Sequence, residues 1–150
     1  MRGVIFALAA CLLANHAQAR GDFHRFAAAA TQGEARHVAA AARDIVAEAV
    51  RHLGQGNFTG RPGAWCAWFV SAVLRATGHA PLPSGMAASA LAYGPRDANP
   101  RPGDIAVMPH HVGFVVEADG ARVRIVSGNW GRRVALATLP RGAFVAFVRI

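Results

Sequence analysis

Residues 65–78 read Trp-Cys-Ala-Trp-Phe-Val-Ser-Ala-Val-Leu-Arg-Ala-Thr-Gly, and this stretch decides the fold. Cys66, Phe69, Val70, Val73 and Thr77 recur on one side at helical spacing, so the pattern predicts a helix over 66–77. Gly78 supplies its stop, and the preceding residues 55–63 are dense in loop-forming Gly and Pro. Cys66 is therefore expected in the first turn, on the buried stripe. There the positive end of the helix macrodipole and unpaired backbone N–H groups favour thiolate over thiol. The Gly-rich loop lets backbone approach a ligand, and the Cys66 amide could donate to an oxyanion, with Gln55 and Asn57 as candidates for a second donor. Counted simply as one cysteine, Cys66 reads equally well as a small buried hydrophobe.

Upstream, residues 34–53 are Ala-rich without Gly or Pro, and Val38, Ala42, Ile45, Ala49 and Leu53 form one apolar stripe, which predicts an amphipathic helix ended by Gly54. Downstream, residues 81–101 hold a short helical stretch, expected to be capped by Ser84 and to run to Tyr93, inside Pro- and Gly-rich connections. After Pro102-Gly103 the pattern turns to strands at 104–108, 111–117, 122–127, 134–139 and 143–149. Helices first and strands after predict an α+β domain, its N-terminal helices packed on one face of an antiparallel meander. No internal repeat is present.

The chain has 150 residues, 53% of them apolar or aromatic, which excludes a disordered tail or a solenoid and leaves one compact domain. Arg2, the apolar run to Ala14 and the small residues of Ala17-Gln18-Ala19 read as a secretory signal cleaved after residue 19. The run is too short for a resident membrane helix, so no stable membrane insertion is expected after cleavage. Leu8-Ala9-Ala10-Cys11 has the form of a lipoprotein site and is the second reading. The expected division is 1–19 signal, 20–53 helical segment and 54–150 main domain, in an exported protein, secreted or periplasmic. Cleavage leaves Cys66 as the one cysteine, so no internal disulfide can form, and an unpaired thiol in an oxidising compartment is buried or used. The formal charge is +8 and all 16 basic residues are Arg, which suits an anionic polymer or reflects codon bias. The arginines are scattered without an aromatic-interleaved stripe, so no nucleic-acid partner is expected. No His pair has metal-ligand spacing, and neither metal nor cofactor is expected.

A thiolate hydrolase needs a base. His37 and His52 fall among surface-type residues, His24 lies near the expected mature terminus, and His79 follows the second helix's stop. His110 and His111 open a strand, where neighbours point to opposite faces and only one can face a given cleft. A two-residue loop at Asp119-Gly120 would pair Glu117 with Arg122 and set His111 opposite Gly128. A one-residue bulge at Gly128 would then bring Asn129 across from the imidazole, where a polar group could fix its tautomer. Asn after Gly is also ordinary turn chemistry. Asp104, after Pro-Gly, reads as a turn or strand-start residue.

Four ordered blocks now carry a resemblance: Trp65-Cys66-Ala67-Trp68-Phe69-Val70, Pro100-Arg101-Pro102-Gly103-Asp104-Ile105, His111-Val112-Gly113-Phe114-Val115 and Ser127-Gly128-Asn129-Trp130. In order and spacing they resemble the CHAP domains, the cysteine, histidine-dependent amidohydrolases/peptidases, over about residues 54–150. The resemblance implies a papain-like α+β fold with Cys66 as nucleophile, His111 as base and Asn129 as the orienting residue. Many members cut peptidoglycan, so it also implies that polymer as partner. Many carry an acidic residue two positions before the Asn, where this chain has Ser127, a departure that implies lower activity or none. Trp65 and Trp130, next to site residues, and Tyr93 are candidates for lining a substrate groove.

Three functions follow: an exported cysteine hydrolase cutting peptidoglycan amide or peptide bonds, a weak or inactive CHAP-like module that binds wall peptides, and a secreted peptidase acting on proteins.

Overall fold

The computed structural model describes residues 32–37 and 39–150. The expected signal segment, Cys11, His24 and Val38 lie outside the described residues. The chain divides into two units, residues 1–39 and residues 40–150. In the first, residues 32–37 and Ala39 are helical.

The second unit opens with helix α1 at residues 40–51. Helix α2 (Cys66–Ala76) follows, then a 3-10 turn (Ala87–Ala92) and strands β1 (Ile105–Val107), β2 (Val112–Ala118), β3 (Arg122–Trp130) and β4 (Arg133–Pro140). A second 3-10 turn (Arg141–Ala143) leads to β5 (Ala146–Val148). This is an α+β fold with its helices ahead of one five-stranded antiparallel sheet, in the order β4-β3-β2-β1-β5.

The α2 stripe falls where its periodicity places it. Cys66, Phe69, Val70 and Val73 are buried, and Thr77 caps the end with its hydroxyl donating to the Val73 carbonyl at 2.9 Å. Ala67, Ser71 and Leu74 are buried as well, because α2 packs against the sheet and against the chain from Leu82 to the 3-10 turn. Ser71 is the polar member of that buried set, and its Oγ accepts the Leu82 N–H at 3.2 Å. In α1, Ile45 and Ala49 join the same core.

Alternation along the strands builds two apolar clusters, one on each face of the sheet. Val112, Phe114 and Val126 meet α2, while Val115, Val123 and Ile125 point the other way. The expected meander holds for four strands only. β5 returns to the opposite edge and pairs with β1, and the crossing carries Phe144 and Phe147 onto Met108 and the second cluster. That apolar cover is the reason the last strand leaves meander order. β5 is also pinned by charge: Arg149 Nε lies in ion-pair contact with the buried Asp104 carboxylate at 3.2 Å, and Asp97 holds the same guanidinium. The expected helix at Ser84 is instead a six-residue 3-10 turn without a side-chain cap. Ser84 Oγ accepts the Met86 N–H at 3.2 Å, a local turn that competes with helix entry.

Gly128 decides how closely α2 can lie on β3. A Cβ there would stand 2.5 Å from Phe69 Cβ and 2.6 Å from the Trp65 ring. Gly128→Ala should therefore cost roughly 1–3 kcal/mol through overpacking. Gly142→Ala, where a Cβ meets nothing within 4 Å, should stay within about 0.5 kcal/mol. Urea denaturation of both variants checks this, and equal midpoints would contradict the close approach.

Candidate active site

The start of α2 is an uncapped helix end. Trp65 makes no side-chain capping hydrogen bond, and the first turn contains no acidic residue, so its amides are free for another acceptor. The Cys66 sulfur takes that place: the backbone amides of Ala67 and of Cys66 itself face it, together with the amide of Val112. Val112 opens β2 directly after His111. The helix end and the strand start thus converge on one sulfur atom, beside the peptide link of His111.

Three amides favour the thiolate, yet burial outweighs them and pushes the Cys66 thiol above its ordinary range. The residue is 3% exposed. Position at a helix end was expected to lower the thiol, and the sign is reversed because desolvation penalises the charged form more than the helix end rewards it.

His111 is half-buried, and desolvation holds its imidazole below the ordinary value. Its Nε2 lies 2.5 Å from the Ser127 hydroxyl, and the Trp130 ring stands edge-on at 5.1 Å between centroids. Ser127 is fully buried, and its Oγ also sits 2.9 Å from the Val112 carbonyl and 3.1 Å from that of Gly128. The partner of the imidazole is thus Ser127, two residues before Asn129.

The expected register needs correction. The β2–β3 hairpin closes at Asp119 and Arg122, around Gly120-Ala121, because Asp119 Oδ1 takes the amides of Ala121 and Arg122 at 2.8 and 2.7 Å. Glu117 accordingly pairs with Arg124 rather than Arg122. A further shift falls inside β2 between Val115 and Glu117, giving Phe114↔Val126. The bulge near Gly128 exists, but it is a break in pairing with β4, between Ser127 and Trp130. Asn129 occupies it at φ 60, a left-handed conformation that Asn tolerates better than most residues.

Of the remaining expected residues, Trp65 and Trp130 stay beside the site and Tyr93, Gln55 and Asn57 are engaged elsewhere. Trp65 is a core residue at 3% exposure, in edge contact with Phe58. Trp130 is half-buried against His111, whereas Tyr93 spends its hydroxyl on the Ala80 carbonyl at 2.8 Å. Gln55 and Asn57 are committed within their own loop. Gln55 Oε1 lies 3.0 Å from His52 Nδ1, and Asn57 Nδ2 donates to the Arg61 carbonyl at 2.7 Å. His52 is no idle surface residue: it stacks on Phe58 at 4.4 Å and bonds Glu48 at 3.1 Å.

Two residues escaped the sequence reading. Ser127 was visible only as a missing acid, although Val123-Arg124-Ile125-Val126-Ser127 puts a polar side chain in phase with buried Val123 and Ile125, which calls for a partner. Arg61, whose guanidinium lies 4.6 Å over the Trp68 ring, had no signal beyond its place in the loop. Among the described residues no cluster of three His, Cys, Asp or Glu could hold a metal ion, and no helix is long and apolar enough to cross a membrane.

With this geometry in place, the comparisons are specific on one point. The family model described as the CHAP domain matches residues 56–129, a span that includes Cys66, His111, Ser127 and Asn129. No curated protein matches the chain.

A buried neutral thiol has a spectroscopic consequence. Thiolate absorbance near 240 nm, taken as the difference between the native protein and Cys66→Ser, should rise at a pH above that of the unfolded chain. A native midpoint below the unfolded one would contradict the dominance of burial.

Proposed function

We propose, because the CHAP-domain model matches residues 56–129 and that family comprises cysteine, histidine-dependent amidohydrolases/peptidases, that this protein is an exported cysteine hydrolase cleaving amide or peptide bonds of peptidoglycan. The observation that carries the reading is the convergence of the uncapped α2 start and the His111-Val112 peptide on the Cys66 sulfur. Export is supported by the apolar leader and Ala17-Gln18-Ala19, and the Arg-rich composition favours an anionic wall polymer.

The reaction starts from a neutral thiol and a neutral imidazole. As sulfur attacks the amide carbonyl carbon, its proton passes to His111 Nδ1, and the carbonyl oxygen becomes an oxyanion that accepts from the Cys66 N–H. Imidazolium returns that proton to the leaving nitrogen, the C–N bond breaks, and an acyl thioester remains on Cys66. Water then loses a proton to the imidazole and attacks the thioester, the C–S bond breaks, and sulfur regains its proton. Trp130, edge-on to the ring, limits the imidazole's swing while Asn129 shapes the bulge that places it.

A second reading has its own observation. The imidazole rests on a neutral hydroxyl rather than a carboxylate, and the sulfur is buried, the features of a module that binds wall peptides without cutting them.

Digestion of purified sacculi, read by mass spectrometry, separates the two. The protein should release fragments, and Cys66→Ala should lower the rate at least about a thousandfold while still binding sacculi. Intact sacculi bound equally by both proteins would overturn the hydrolase reading in favour of the binding module, and cleavage of denatured protein instead of sacculi would move the substrate to polypeptides.

The pH profile follows from the directions of the shifts. The reactive form needs a neutral imidazole, and depression of His111 extends that form to lower pH. The acid limb of kcat/KM should therefore fall below the ordinary imidazole range. A limb above that range would contradict a desolvated base.

A further inference from the structure

The Ser127 hydroxyl has one proton to give and two lone pairs with which to accept. It faces three groups: the Val112 carbonyl at 2.9 Å, the Gly128 carbonyl at 3.1 Å and His111 Nε2 at 2.5 Å. Both carbonyls can only accept. A proton aimed at the imidazole would turn the hydroxyl lone pairs onto two carbonyl oxygens in a fully buried place, where nothing else relieves the repulsion. The proton therefore belongs on the carbonyl side, and the ring nitrogen must be the donor.

We propose that Ser127 is the positioning residue of this site: by giving its proton to the Val112 carbonyl and accepting from His111 Nε2–H, it holds Nδ1 unprotonated and ready to take the Cys66 proton. The proposal rests on the hydrolase reading and deepens it. Gly113 makes the approach possible, since a Cβ there would stand 2.6 Å from the Val126 carbonyl and 2.8 Å from Ser127 Cβ. Two consequences separate this site from one with an acid at the same position. A hydroxyl orients the ring without adding negative charge, so the resting pair is thiol and imidazole rather than thiolate and imidazolium. An ionised acid at 127 would face the same two carbonyl oxygens and be repelled by them, so the position is shaped for a group that donates on one side and accepts on the other.

The tautomer is directly readable. Long-range nitrogen–proton NMR of the protein, with His111 identified by comparison with His111→Gln, should show protonated Nε2 and bare Nδ1 above the imidazole's titration. The opposite pattern overturns the proposal, whether or not sacculi are cut, so its failure is distinguishable from that of the hydrolase reading. In Ser127→Ala the tautomers should mix and kcat should fall roughly tenfold or more with little change in KM. Ser127→Thr should restore both, and Ser127→Asp should restore neither. An unchanged tautomer and kcat in Ser127→Ala would defeat the proposal. If that variant does not fold, the pattern in the unsubstituted protein still decides.

Discussion

The arrangement depends on one close contact, the seating of the α2 N-terminus on β3 at Gly128. Because no side chain intervenes there, Trp65 and Phe69 settle against the strand, and the first helical residue comes level with the start of β2. Cys66 is that first residue. The glycine thus couples a packing demand to a chemical one: the contact that closes the core also delivers the sulfur to the amide of Val112. Gly113 acts similarly one strand over, letting β3 approach β2 until the Ser127 hydroxyl reaches the imidazole.

The electrostatics of the site follow from that closeness. Burying the sulfur and half-burying the imidazole removes water from both, and desolvation raises one proton affinity and lowers the other. The neutral thiol and neutral imidazole are both favoured, and a neutral hydroxyl completes the set. For His111 the linkage to stability has a definite sign. Its folded value is depressed, so its contribution is present above the unfolded imidazole value and is lost as pH falls through the folded one. Three carboxylates of the fold are spent elsewhere, Asp104 and Asp97 on Arg149 and Asp119 on its own turn.

Much of this was legible in the residues. The α2 stripe and its stop are strongly periodic, and the order of helices and strands follows from the change of period after Pro102-Gly103. The placement of Cys66 in the first turn needed only that periodicity. What was not legible depends on distances between segments. The hairpin register moved because the Asp119 side chain, not its position in a Gly-containing pair, selected the turn, and because β2 bulges at a point with no Gly or Pro to mark it. The sign of the Cys66 shift was hidden because a helix end is visible in sequence whereas the depth of burial is not. Ser127 was hidden behind Asn129, the more conspicuous polar residue, which the structure places at a left-handed bulge.

The central claim is that sulfur and imidazole act as one unit, and the rate of Cys66 alkylation against pH tests it most directly. With a neutral base assisting proton removal, the native protein should keep a nearly level rate from alkaline pH down to the depressed His111 titration, while His111→Ala should lose about tenfold per pH unit below the thiol pKa. Superimposable profiles for the two proteins would contradict the account.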